Sequence, residues 1–304
     1  APFNGGEDVK VTVLDGGMGG ELQKRISTGG KGLWSAMALI EEPEIVIDVH
    51  RDFIDAGARI IITNSYCTIP SYLGKENLES EYIRLTELAG KLARQAADAG
   101  SEKVLVAGSI PPLSESYRPD LVPSEEIARP IYRNMVEALR PSVDFFICET
   151  MSSAIEAEHA ASQAKQYGGG KPVYVAWTLN EEPGTGLRSG ESLKEAFLKI
   201  DYLDVAGYML NCTCPEVIEI GLIELKALTA KPLGCYANRM GKVPEGWTLD
   251  NELYTGRRTD VTTAYFVDQC LRAAQAGATI IGGCCGIGPT DIEALAEALT
   301  SQHQ

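Results

Sequence analysis

Histidine is scarce in this chain, with three in 304 residues, at positions 50, 159 and 303. His50 and His159 fall in stretches with helical patterning and His303 in the tail, which speaks against a histidine-based triad. Positive charge is also short. Lys and Arg number 27 against 42 Asp and Glu, a formal net charge of -15, so the basic footprint of a nucleic-acid binder is missing. No apolar run approaches the roughly 18 residues of a membrane helix. The opening APFNGGEDVKVTVLDGG has neither a basic n-region nor an apolar h-region, so no signal peptide is read there. No linker, low-complexity stretch or break in composition marks a second domain. The glycines after Asp15 do not fit GxGxxG, so a phosphate cradle there is a weak reading. The expectation is a cytoplasmic chain that handles small molecules, has neither nucleic acid nor membrane as partner, and is compatible with a homo-oligomer.

Apolar residues make up 44% of the chain, enough for a sizeable core. They gather in eight short β-rich runs: VKVTVLDGG (9–17), ARIIITNSY (58–66), KVLVAGSIPP (103–112), VDFFICET (143–150), PVYVAWTL (172–179), VAGYMLNC (205–212), KPLGCYAN (231–238) and ATIIGGCCG (278–286). The runs are continuous instead of alternating, as strands buried on both faces are. Helix-like stretches separate them. Pro43 can open a helix with Ile45, Val49 and Phe53 on one face. LWSAMALIEE before it reads as a short extra helix. Ser153 with Glu156, Ser192 with Glu195, and Thr290 with Glu293 have capping-box spacing. Eight strand–helix units predict one α/β domain over residues 1–304, a (β/α)8 TIM barrel, whose usual size is about 250 residues plus loops. An open doubly wound sheet is the alternative.

Active sites of such barrels form at the C-terminal strand ends. Strand 1 ends on Asp15, strand 2 on Asn64, Ser65 and Tyr66, strand 3 on Ser109, strand 4 on Glu149 and Thr150, strand 6 on Asn211 and Cys212, strand 7 on Tyr236 and Asn238, and strand 8 on Cys284 and Cys285. Cys212, Cys284 and Cys285 therefore converge on one mouth. Three thiolates form a soft set suited to zinc, and a catalytic zinc keeps a fourth position open. Gly282 and Gly283 allow the backbone to turn both sulfurs inward. Burial as core cysteines fits the pattern as well, and a vicinal disulfide is a third reading, disfavoured in a reducing compartment. Of the other five cysteines, Cys214 follows the turn into the next helix, Cys67 suits loop packing, and Cys148 and Cys270 suit the core, while Cys235 lies near a strand end. Glu149, after VDFFIC, is costly to bury without a cation, either a substrate ammonium or a protein Lys or Arg. Asp15 carries the same two readings.

The motifs DGGMGGELQKR, TNSY, CET, LNCTCP and GGCCGIGP together resemble the homocysteine S-methyltransferase family, over about residues 10–300. GGCCG with an upstream NC is the specific part. The resemblance implies a (β/α)8 barrel, zinc ligands at Cys212, Cys284 and Cys285, the strand-1 Asp at Asp15 and an amino-group-binding Glu at Glu149. It implies a homocysteine carboxylate near the loop of Asn64 and Ser65, with Asn211 preceding the first ligand as in several relatives. LWSAMALIEEPE and SYCTIPSYL most resemble the branch with sulfonium donors. A Trp at the position of Trp34 also occurs in the betaine branch, which has Tyr directly after the Glu where this chain has Thr150. The stretch GSIPPLSESYRPDLVP departs from the sulfonium enzymes, which leaves the donor open.

The expected reaction is zinc-dependent methyl transfer from a cationic donor, S-methylmethionine, S-adenosylmethionine or a similar sulfonium, to homocysteine thiolate, giving methionine. Betaine or another onium is the alternative donor. Trp34, Tyr66, Tyr72, Tyr117 and Tyr236 are candidates for lining a cation. Two other classes compete: a metal-free barrel enzyme with a phosphate site on the strand 7–8 loops, and an inactive thiol- or metal-binding barrel.

Overall fold

Eight parallel strands alternate with helices in the computed structural model, which describes residues 10–26, 34–241, 243 and 257–302, with Trp34 as backbone only. The order is β1 (Thr12–Val13), α1 (Met18–Arg25), α2 (Trp34–Glu41), α3 (Pro43–Ala56), β2 (Ile60–Ile62), α4 (Pro70–Leu73), α5 (Tyr82–Asp98), β3 (Leu105–Ile110), α6 (Glu125–Leu139), β4 (Phe145–Met151), α7 (Ala154–Tyr167), β5 (Val173–Trp177), α8 (Leu193–Ile200), β6 (Gly207–Asn211), α9 (Pro215–Leu228), β7 (Leu233–Ala237), α10 (Thr263–Gln275), β8 (Ala278–Gly283) and α11 (Pro289–Gln302). The sheet runs β1-β8-β7-β6-β5-β4-β3-β2. Its ends meet: Leu14 bridges Ile60 in parallel, Arg59 N donates to Val13 O at 2.8 Å, and Asp15 N donates to Ile60 O at 3.1 Å. The sheet is thus a closed (β/α)8 barrel, not the open doubly wound alternative.

Strand alternation sorts the apolar residues into two layers. Leu14, Ile60, Ala107, Phe145, Ile147, Ala176, Met209 and Ile280 fill the barrel interior. Val106, Phe146, Cys148, Val175, Leu210 and Ile281 face the helices. Both faces of each strand are therefore dry, which is why the runs read as continuous. Cys67, Cys148 and Cys270 are buried in the helix-facing layer, and Cys214 is the N-cap of α9.

The helices start largely where local chemistry directs. Pro43 opens α3, which buries Val46, Val49 and Phe53. Ser153 and Ser192 accept from the backbone N–H groups of Glu156 and Glu195. The third capping box is not made. Pro289, its φ already helical, starts α11 one residue before Thr290, and Asp291 instead takes the Gly288 N–H at 3.0 Å. Among the described residues no helix is long and apolar enough to cross a membrane.

Candidate active site

Cys212 follows the last residue of β6 and turns into the left-handed region at φ 49°. That conformation costs a non-glycine residue about 1–2 kcal/mol and persists only where neighbours hold it. Here the Cys212 N–H donates to Tyr236 O at 3.1 Å, and its carbonyl accepts from Thr178 Oγ1 at 3.1 Å. The turn carries its sulfur across the mouth toward β8. Cys284 is tied to β7 through its N–H to Ala237 O at 2.8 Å. The backbone is close-packed here: a Cβ on Gly282 would lie 2.6 Å from Asp15 O, and one on Gly17 2.7 Å from Cys284 O. No larger residue fits at either position, so the glycines set the approach of the first and last strand ends.

The metal-binding atoms of Cys212, Cys284 and Cys285 lie within 4.8 Å of one another. Cys212 and Cys284 are joined as a disulfide with Cα atoms 5.7 Å apart, and Cys285 Sγ is 4.0 Å from Cys284 Sγ. Exposure rises from buried Cys212 through half-buried Cys284 to exposed Cys285, so the cluster opens to solvent on one side. Three sulfurs in this volume could hold a soft tetrahedral ion with its fourth position toward the mouth.

The loop after Cys285 is braced from below. Arg239 N donates to Cys285 O at 2.8 Å, and Arg239 Nη1 to Gly286 O at 3.0 Å. The same guanidinium forms a buried two-pronged pair with Asp291, at 2.9 and 2.5 Å. Thr263 Oγ1 donates to Asp291 Oδ1 at 2.6 Å.

Glu149 continues the inward series of Phe145 and Ile147 on β4, where the register against β5 slips between Cys148 and Met151. Such a bulge re-aims a side chain. Thr150, in the bulge, sits at φ 57° and is held by Asn211, whose Oδ1 accepts from Thr150 N at 3.0 Å and whose Nδ2 donates to Thr150 Oγ1 at 2.9 Å. Asn211 thereby fastens the end of β4 to that of β6. Glu149 is buried; its carboxylate accepts from Ser109 Oγ and, at 2.8 Å, from Tyr236 Oη. Burial pushes its pKa up, against the lowering effect of those two donors. Asp15 is also buried and accepts from Ile62 N at 2.9 Å. Burial raises its pKa well above the usual carboxylate range; the Ile62 bond lowers it, and the Glu149 charge pushes it up further. Among the described residues neither carboxylate has a Lys or Arg in ion-pair range.

The remaining site candidates are arranged unequally. Asn64 Nδ2 donates to Ser35 O at 2.8 Å, tying the β2 loop to α2, while Ser65 Oγ donates to Ser109 O at 3.0 Å. Trp34 opens α2, and its side chain lies outside the described residues. Tyr236 is an inward residue of β7 whose hydroxyl donates to Glu149. Tyr72 is buried, with Lys75 Nζ 5.0 Å from its ring centre and its hydroxyl on Glu115. Tyr66 and Tyr117 remain, both half-buried; Tyr66 Oη bonds Ser116, and Arg188 stacks over Tyr117. Arg188 and Arg239, in loops, and Asp291, in the first turn of α11, were invisible in the sequence because a charged residue's partner elsewhere in the chain leaves no local pattern. Ser109 and Thr150 were visible only as strand ends.

Comparison with known proteins agrees with this architecture. A family model described as homocysteine S-methyltransferase matches residues 12–299. The homocysteine S-methyltransferase of Escherichia coli is 32% identical over 94% of each chain. A selenocysteine methyltransferase of Astragalus bisulcatus is 29% identical over 96% of this chain and 93% of its own. The crystal structure of the Escherichia coli homocysteine methyltransferase MmuM in its metallated form superposes with a TM-score of 0.78 at 29% identity, covering 96% of this chain and 97% of that one. The β6 and β8 cysteines thus stand in a chain that matches these enzymes over most of their length, and the chain is a methyltransferase that belongs to the homocysteine S-methyltransferase family.

Proposed function

We propose that this chain transfers a methyl group from a sulfonium donor, S-methylmethionine or S-adenosylmethionine, to the thiol of homocysteine, giving methionine, with zinc held by Cys212, Cys284 and Cys285. The observation that carries the reading is the pairing of three clustered sulfurs at the barrel mouth with a buried carboxylate that has no protein cation among the described residues. Once the Cys212–Cys284 disulfide is reduced to two thiolates, the donor set fits zinc, being three soft ligands with one open side, and the metallated state of the Escherichia coli relative supports a metal here. When bound, zinc would keep the substrate thiol, which otherwise titrates near 8.5, deprotonated and nucleophilic at neutral pH.

The protein's own groups do the rest. Glu149, fixed by Ser109 and Tyr236, receives the homocysteine ammonium, which supplies the missing positive charge. Asp15 adds negative potential beside it. The loop of Asn64 and Ser65, locked to Ser35 and Ser109, receives the carboxylate, with Trp34 on the same side at the head of α2. Asn211 keeps β4 and β6 in register so that amine and sulfur are gripped at one spacing. Tyr66 offers a π face to a cation at the mouth, whereas Tyr117 already carries the Arg188 guanidinium over its ring. Holding both reactants in line is worth about 7–11 kcal/mol when the geometry is right.

The test is metal analysis followed by a donor screen. Purified protein is incubated with homocysteine and S-methylmethionine, S-adenosylmethionine or betaine, and methionine is measured. One equivalent of zinc and turnover with a sulfonium are expected. Turnover with betaine alone would move the assignment to that branch, and none with any donor would refute it.

A further inference from the structure

The barrel interior beneath the sulfurs is filled by Leu14, Ile60, Ala107, Ile147, Met209 and Ile280. A donor therefore reaches a thiol held at the cysteines only from the loop layer beyond the strand ends. Arg188 stands in that layer, on the loop between β5 and α8 that the Leu179–Leu187 bridge pins in place. Its side chain is only 10% exposed. Its Nε donates to Thr178 Oγ1 at 3.3 Å, and that hydroxyl donates to the Cys212 carbonyl at 3.1 Å, so two hydrogen bonds link the guanidinium to a cluster cysteine. The guanidinium carbon lies 4.7 Å from the centre of the Tyr117 ring. Glu181 Oε1 is 3.7 Å from Nη2, beyond hydrogen-bond length, and Nη2 is closed off from solvent with no hydrogen-bond partner among the described residues. Buried donors are almost always bonded, and one left over marks a place for an acceptor.

We infer that Arg188 is a specificity residue that takes the carboxylate which the proposed donors carry beside their onium centre. The inference rests on the methyl transfer proposed above. A guanidinium is always charged, and its fork matches a carboxylate in two parallel bonds. The Arg188–Glu181 pair, 3.7 Å apart, gives a bare onium no net attraction, whereas a donor carboxylate supplies the acceptor that Nη2 lacks among the described residues. The long contact to Glu181 is replaceable, because an incoming carboxylate gains an aligned bond at Nη2 where Glu181 makes none. Discrimination acts on the donor and not on homocysteine, whose amine is assigned to Glu149 inside the strand layer. Stacking on Tyr117 fixes the plane of the fork, which a lysine could not reproduce.

S-methylmethionine and S-adenosylmethionine are each compared with their carboxamides, which keep the sulfonium and the amine. Wild-type protein should show a KM at least tenfold lower for the acid of the donor it uses than for its amide. In Arg188→Met the acid's KM should rise at least tenfold and the acid-to-amide preference fall to near one. KM for homocysteine and metal content should stay within twofold. An unchanged acid-to-amide ratio in the variant overturns the assignment. Should the variant fail to fold, wild-type protein decides alone: equal KM for acid and amide overturns it. Homocysteine binding, measured by calorimetry, separates the two levels. Normal binding with an unchanged ratio removes Arg188 only, whereas a wild-type protein that neither binds homocysteine nor uses a donor removes the methyl-transfer reading and the inference with it.

Discussion

Glu149→Gln should make the protein more robust and its substrate binding weaker. The wild-type carboxylate is buried, accepts from Ser109 and Tyr236, neighbours Asp15, and has no cation among the described residues. Its pKa is raised, chiefly by burial. The folded state therefore binds more protons than the unfolded chain between the ordinary glutamate range and that raised value. Stability accordingly falls as pH rises through that window and stays lower above it. Glutamine keeps the shape and both hydrogen-bond positions and abolishes this dependence, so at pH 8 the variant should melt at or above the wild type. Homocysteine binding should move the opposite way. A hydrogen bond to a charged group is worth about 1.5–3 kcal/mol, and every 1.4 kcal/mol is tenfold, so affinity should drop roughly ten- to hundredfold. A simple thiol lacking the amine should lose little, and zinc content should not change. In the wild type, homocysteine affinity should fall as acidification protonates Glu149. Calorimetric titrations at two pH values and thermal melts of both proteins read all of this. Unchanged homocysteine affinity, or a lower melting temperature of the kind a broken ion pair gives, would refute the reasoning.

Cys284→Ser should lose zinc and activity together, since a hydroxyl is a poor substitute for a thiolate; normal turnover of metal-free variant, checked by metal analysis, would contradict the mechanism. Asp291→Asn strands the buried Arg239 charge and should destabilise the protein by about 3–5 kcal/mol in denaturant unfolding. A chelator should also strip metal from it faster, because Arg239 braces the Cys285 loop. Glu156, pushed up to about 7 by burial, gives a pH test away from the site. The folded state binds the extra proton between the ordinary glutamate range and about 7, so wild-type stability should decline as pH rises through that interval, and Glu156→Gln should flatten that part of the melting profile.

The barrel and the sulfur cluster were legible because they rest on period and order along the chain. Continuous apolar runs marked strands dry on both faces, and counting them placed Cys212 and the Cys284–Cys285 pair at one rim. What did not show was which of several competing partners, near or far in the chain, a residue takes. Thr290 has the spacing of a cap, but Pro289 sets the helix start. Tyr236 and Tyr72 read as cation-lining aromatics; the inward phase of β7 gives the hydroxyl of one to Glu149, and a lysine covers the other. Asn211 was placed by its neighbour cysteine; its amide in fact works across the sheet on Thr150. Glu149 was half legible: its burial followed from VDFFIC, whereas its lack of a protein cation among the described residues required coordinates.

The seam where Gly283 N meets Asp15 O at 3.0 Å joins the two ends of the barrel sequence. Asp15 and Glu149 come from the first half of the chain, and all three sulfurs from the second, with Cys212 and Cys284 themselves 72 residues apart. Neither half holds a working site, and a nascent chain has none until its last strand docks beside its first. Loop closure of this range is a late and slow event in folding. On the proposed zinc reading, metal capture would be coupled to completion of the ring, and zinc affinity would measure how firmly the seam is shut. A substitution far from the mouth that loosens the contact between β1 and β8 would surface as a metal-poor enzyme long before it surfaced as an unfolded one.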